Sequence, residues 1–138
     1  MRIKWTEAQA VGIEKIDNQH ELLFNSINDL VDAMNQGKGS EEIEKLFVFM
    51  ENYTIEHFTD EEEYMEKYNY PEPERSTHIA AHEGFKDSFV ELKEKMTSSG
   101  ATRSMAVRVS SMLGSWWIAH INNIDKALGS YLKQHIKD

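Results

Sequence analysis

Five of the six histidines in this 138-residue chain recur with two carboxylates at helical spacings along most of its length. The set is His20, His57 with Glu61, His78 with His82, and His120 with Asp125. Seven nitrogen and oxygen donors are too many for one tetrahedral metal, and they suit a pair of metals bridged by carboxylates. The chain must therefore fold so that four separate segments bring these side chains together.

The segments are helical in pattern. Breaks fall at Asn35-Gln36-Gly37-Lys38-Gly39, at Asn69-Tyr70-Pro71-Glu72-Pro73 and at Ser98-Ser99-Gly100, each resembling a short helix–helix connection. Ser40, followed by Glu41 and Glu42, has the form of a capped helix start with acids at the positive end of the dipole. Between the breaks, apolar residues recur at steps of three and four. The first stripe is His20, Phe24, Ile27, Val31, Met34. The second is Leu46, Met50, Tyr53, His57, Glu61, Tyr64. The third is His78, His82, Phe85, Phe89, Leu92, Met96. The fourth is Met105, Val109, Met112, Trp116, His120. Four amphipathic helices with short loops predict an all-α fold, an antiparallel up-down-up-down four-helix bundle with an N-terminal arm. We expect one domain over 1–138, with the arm at 1–17, the bundle at 18–128 and a C-terminal tail at 129–138. Trp5, Val11 and Ile13 should pack the arm onto the bundle.

The donors continue the core stripes, so they face inward and are buried. An ionised carboxylate buried without a partner is costly, and a metal compensates it. With neighbouring helices antiparallel, all seven donors fall at one end of the bundle. One spacing is awkward: five residues separate His120 from Asp125, about 140° on a regular helix. A locally irregular or π-bulged helix near 120–125 is expected.

Composition narrows the function. A chain of this length can bury roughly two-thirds of its unfolded surface without a disulfide, and with no cysteine it offers no thiolate ligand or nucleophile. The net charge of −9 disfavours nucleic acid. No stretch approaches the roughly 18 apolar residues of a membrane span, and the start lacks the apolar run of a secretion signal. We expect a soluble, cytoplasmic protein.

Each motif alone has a bland reading. His78 with His82, or His57 with Glu61, could be a surface i, i+4 pair, His20 a hydrogen-bonded histidine near a helix start, and Asp125 a solvated acid. Together on one inward cluster they favour metal. In the acidic run only Glu61 stands four residues from His57, so Glu62 and Glu63 are expected to face solvent, as is His135. Trp116 and Trp117 read as core, with Trp116, one turn before His120, also suited to lining a pocket.

Imidazole and carboxylate suit iron, zinc, manganese or copper. The chain has neither the His-Glu-x-x-His of zinc proteases nor the Glu-x-x-His of ferritin-like di-iron enzymes. The full set, His20, His57-x-x-x-Glu61, His78-x-x-x-His82 and His120-x-x-x-x-Asp125, resembles the ligand signature of the hemerythrins. The likeness includes the Asp17-Asn18-Gln19-His20 lead-in, the His57-Phe58 pair and Trp116-Trp117 before His120. The length and N-terminal arm resemble the bacterial single-domain form.

That resemblance implies reversible dioxygen binding at a non-haem di-iron centre, for oxygen storage, delivery or scavenging. It implies that His78, His82 and His120 hold one iron and that His20 and His57 hold the other, which keeps an open position. Glu61 and Asp125 would bridge the two irons with an oxo or hydroxo group, and an oxygen pocket would be lined by Leu23, Phe58, Trp116, Ile121 and Ile124. The protein is then an oxygen-binding protein rather than an enzyme, with dioxygen as its partner and no catalytic residue. Three alternatives remain. One is an oxygen- or redox-sensing module acting on an unknown protein partner. Another is a di-iron enzyme that acts as an oxidase or processes peroxide or nitric oxide. The last is a structural zinc bundle.

Overall fold

In a computed structural model, which describes residues 3–38, 40–99 and 103–136, the described residues form helices joined by turns and short irregular segments. Helix α1 spans Glu14–Asn35, α2 Ser40–Lys67, α3 Glu74–Ser99 and α4 Arg103–His120. A π-helical segment, Ile121–Asp125, carries α4 directly into α5, Lys126–His135. Helix α1 packs against α2 and α4, and α3 packs against the same two helices on the other side. These contacts close the antiparallel four-helix bundle. Gly39, Gly100 and the Ser40 side chain expected to cap α2 lie outside the described residues.

Two of the expected connections are built by helix-ending motifs. After α1, Gly37 takes φ +70° and Lys38 N–H reaches back to the Ala33 carbonyl at 3.0 Å. After α2, Asn69 takes φ +54° and Tyr70 N–H reaches the Met65 carbonyl at 2.8 Å. Glycine and asparagine are the residues that adopt this left-handed conformation at least cost, and the backward bonds satisfy carbonyls left open at a helix end.

The stripes of α1 and α3 are inward as expected. His20, Phe24, Ile27, Val31 and Met34 are buried, as are His78, His82, Phe85, Phe89 and Leu92. In α2 and α4 the inward register differs by one residue at several steps. Ile43, Phe47, Met50, Thr54 and Met65 are buried in α2, whereas Leu46, Tyr53 and Tyr64 lie at the margin. In α4 the buried line is Met105, Val109, Leu113, Trp117, while Met112 is exposed and Trp116 half-buried. The cause is local: Leu46-Phe47, Met112-Leu113 and Trp116-Trp117 are pairs of adjacent apolar residues, and a period of 3.6 accepts either member.

The arm packs on the bundle through buried Val11 and partly buried Ile3, Trp5 and Ile13. Asp17 accepts from the backbone N–H of Val11 and Gly12 at 2.8 and 3.3 Å, and Asn28 exchanges two bonds with the Ile3 backbone. Helix α1 begins at Glu14, and residues 129–135, expected as tail, form most of α5 with Leu132 buried. Gly129, where the tail was expected to begin, lies inside α5: a Cβ there would sit 2.3 Å from the Val11 carbonyl oxygen, so glycine allows the arm to cross α5 closely. None of the described helices is long and apolar enough to cross a membrane.

Candidate metal centre

The bundle brings together all seven donors named from the sequence. His20, His57, Glu61, His78, His82, His120 and Asp125 are each at most 4 % exposed. They form two overlapping groups whose donor atoms lie within 4.8 Å of one another: Glu61, His78, His82, His120 and Asp125 in one, His20, His57, Glu61 and Asp125 in the other. Both carboxylates belong to both groups. Asp125 divides its oxygens between them, with Oδ1 at 3.0 Å from Nε2 of His78 and of His120, and Oδ2 at 2.9 Å from Nε2 of His20. Glu61 Oε1 lies 3.2 Å from His82 Nε2 and 3.4 Å from His57 Nε2.

Helical spacing accounts for this convergence. His57 and Glu61 are one turn apart on α2, and His78 and His82 one turn apart on α3. Asp125 joins His120 through the π segment, where Lys126 N–H bonds the Ile121 carbonyl five residues back. The extra residue in that turn returns position 125 to the face of position 120.

The centre fits divalent or trivalent metals. Both oxygens of Glu61 and of Asp125, and Nε2 of His78, His82 and His120, are buried with no hydrogen-bond partner among the described residues. Burying so many polar atoms unsatisfied is costly. Neighbouring ligands held about 2.1 Å from an octahedral metal lie about 3.0 Å apart. His20 Nε2 and His57 Nε2 are 3.1 Å apart, and at most one of them can donate to the other.

Two of the outward nitrogens have partners, whereas Nδ1 of His20 and of His78 has none among the described residues. His57 Nδ1 meets Gln19 Oε1 at 2.6 Å, and Gln19 Nε2 donates to Asp60 Oδ2 at 2.7 Å. Lys15 Nζ lies 3.6 Å from that same Asp60 oxygen. His82 Nδ1 meets Glu62 Oε2 at 2.8 Å. Glu62 thus departs from the solvent-facing role expected of it, whereas Glu63 is exposed. Gln19, Asp60 and Glu62 do not stand on the donors' helical stripe, which is why spacing misses them. Phe58, next to His57 in sequence, stacks on His82 at 3.9 Å, and Glu62 follows it by one turn.

Without metal, the charges within the cluster oppose one another. Burial raises the Glu61 carboxyl well above its usual value, helped by the Asp125 charge. Burial acts the same way on Asp125, but His120, His20 and His78 outweigh it and hold it well below. Burial and neighbouring His20 push His57 well down, and burial with His78 brings His82 down to about 2. Burial also opposes charge on His78, yet the Asp125 and Glu61 carboxylates raise it to about 9.

The residues expected to line an oxygen pocket are placed unequally. Leu23, Phe58 and Ile121 are fully buried. Trp116 is half-buried and stacks on His120 at 4.3 Å, whereas fully buried Trp117 lies 5.7 Å from His57 and 6.0 Å from His20. Ile124 is half-buried on the wall of a surface cleft of about 220 Å³ with Tyr70, Glu74 and Thr77. His135 is exposed and stacks on Tyr131.

The profile of the hemerythrin HHE cation binding domain matches residues 11–132. Among similar proteins, a bacteriohemerythrin of Stenotrophomonas maltophilia is 29 % identical, the alignment covering 96 % of this chain and 82 % of that one. A myohemerythrin of Theromyzon tessulatum is 32 % identical, with 88 % and 87 % covered. A crystal structure of wild-type hemerythrin superposes with a TM-score of 0.79 at 25 % identity, covering 94 % of this chain and 97 % of that one.

Proposed function

Because this chain belongs to the hemerythrin family, we propose that it binds dioxygen reversibly at a non-haem di-iron centre. The observation that carries the proposal is the pair of buried donor groups sharing both carboxylates. His78, His82 and His120 would hold one iron, His20 and His57 would hold the other, and Glu61 and Asp125, which belong to both groups, would serve both. When bound, the iron pair would supply the two electrons that dioxygen takes up on binding and would take them back on its release.

The protein supplies the setting for that exchange. Five protein donors face one pocket and four the other, so the pocket of His20 and His57 keeps a position for dioxygen. The Nδ1 proton of His57 is held by Gln19 and that of His82 by Glu62, which leaves each Nε2 lone pair facing inward. Leu23, Phe58, Trp117 and Ile121, all fully buried, keep the centre dry. Dryness denies protons to the bound gas and so favours its release unchanged. Trp117, through its closeness to His57 and His20, is the tryptophan of this pocket, and Trp116 backs His120.

On this reading the chain is a carrier or store rather than an enzyme, working in the cytoplasm without nucleic acid or membrane. The test is stoichiometry. Protein loaded with two irons per chain should take up one dioxygen per iron pair and then stop, even with a mild reductant present. Continuous dioxygen consumption would make it an oxidase.

A further inference from the structure

We propose that Gln19 and Glu62 are positioning residues that make the two metal pockets electronically unequal, with a full negative charge behind His82 and a neutral amide behind His57. The inference rests on the di-metal reading above and adds a division of labour between the pockets.

The protons can be assigned from chemistry alone. A carboxylate only accepts, so Asp60, 2.7 Å from Gln19 Nε2, fixes that atom as the donating end of the amide. Gln19 Oε1 is then the end facing His57 Nδ1 at 2.6 Å, and Nδ1 must carry the proton. Glu62, a carboxylate, likewise demands the proton on His82 Nδ1 at 2.8 Å. The two histidines thus present the same nitrogen inward but lean on different acceptors. A charged acceptor makes a hydrogen bond about twice as strong as a neutral one, and it draws the Nδ1 proton outward and makes the imidazole a stronger donor. Behind Gln19 stands Asp60, met by Lys15 at 3.6 Å, whereas Glu62 meets His82 directly and Lys86, which acts on Glu62 from a distance, is paired with Glu83 at 3.2 Å.

The consequence is a graded centre. His82 strengthens a pocket that already has the larger share of donors and favours the higher oxidation state there. His57 remains the weaker donor in the pocket with the open position. Two acceptor-preserving variants separate this electronic role from ring positioning. E62Q keeps an oxygen for His82 Nδ1 and removes the charge. Q19E combined with D60N keeps both hydrogen bonds and the net charge, but moves the negative charge next to His57.

The experiment measures Co2+ binding to metal-free protein and the reduction potential of the iron-loaded centre. The wild type and both acceptor-preserving variants should bind two Co2+ per chain. E62Q should shift the potential upward and Q19E/D60N downward. E62L, which removes the acceptor, should lower Co2+ affinity about 10–100-fold, and E62Q should not. Potentials equal to the wild type in both acceptor-preserving variants, with two Co2+ still bound, would overturn this inference and leave the di-metal reading intact. A wild type that cannot hold two metals would overturn both.

Discussion

At the scale of single residues, the centre is a place where the metal-free fold is under electrostatic load. Buried His57 and His82 resist protonation, His57 lying well below the ordinary histidine value of 6.5 and His82 down at about 2. Below pH 6.5 the unfolded chain takes up protons at these two positions that the folded chain does not, so metal-free stability falls with acid. His78 works the other way: raised to about 9, it stabilises the fold below its unfolded value, and that contribution is lost as pH rises from 6.5 to 9. Urea unfolding of the metal-free protein should therefore show maximal stability near neutrality, with losses on both sides. A monotonic rise to pH 9 would contradict the charge assignment. Leu23, fully buried three residues after His20, tests the dry pocket. Leu23→Ala should cost about 2–5 kcal/mol and speed irreversible autoxidation, and an unchanged autoxidation rate would remove Leu23 from the pocket. Six of the donors were legible because each extends a core stripe, and Asp125 was legible through its five-residue spacing from His120. Their outward partners were not, because Gln19 and Glu62 are set by the imidazole each faces across the bundle, and Asp60 by Gln19, rather than by spacing along a helix.

At the scale of elements, the π segment decides the most. The interval from His120 to Asp125 signals an irregular turn, and Ile121–Asp125 supplies it. Deleting exposed Asn123 would restore a four-residue α-helical step, which keeps Asp125 on the face of His120 and leaves α5 in phase. Helix α5 stays anchored by buried Leu128 and Leu132 and by the close crossing of Val11 over Gly129. We expect the deletion to keep its helical circular dichroism and to bind two Co2+ per chain; one ion or fewer would show that the centre needs the wider π turn. Registers in α2 and α4 were less legible than this turn, because neighbouring apolar residues compete for the inward position. The decision between Trp116 and Trp117 is made by packing on α1 and α2, whose donors His20 and His57 lie beside Trp117.

At the scale of the whole molecule, the antiparallel bundle is what turns scattered motifs into one centre. Stripes on four segments, joined by short connections, can meet at one end only if successive helices run in opposite directions, and that coincidence was readable before any coordinates. The closure of the arm over α5 was not, since a glycine inside a helix reads in sequence as a stop, whereas here it admits a crossing backbone. The bundle holds the two donor groups against each other with shared carboxylates, and the account stands on what that arrangement does with dioxygen. The direct measurement is the visible spectrum of anaerobically iron-loaded protein through repeated cycles of oxygen addition and removal. Two irons per chain and bands that appear and vanish with each cycle are expected. A single irreversible conversion to a ferric form would contradict reversible dioxygen binding.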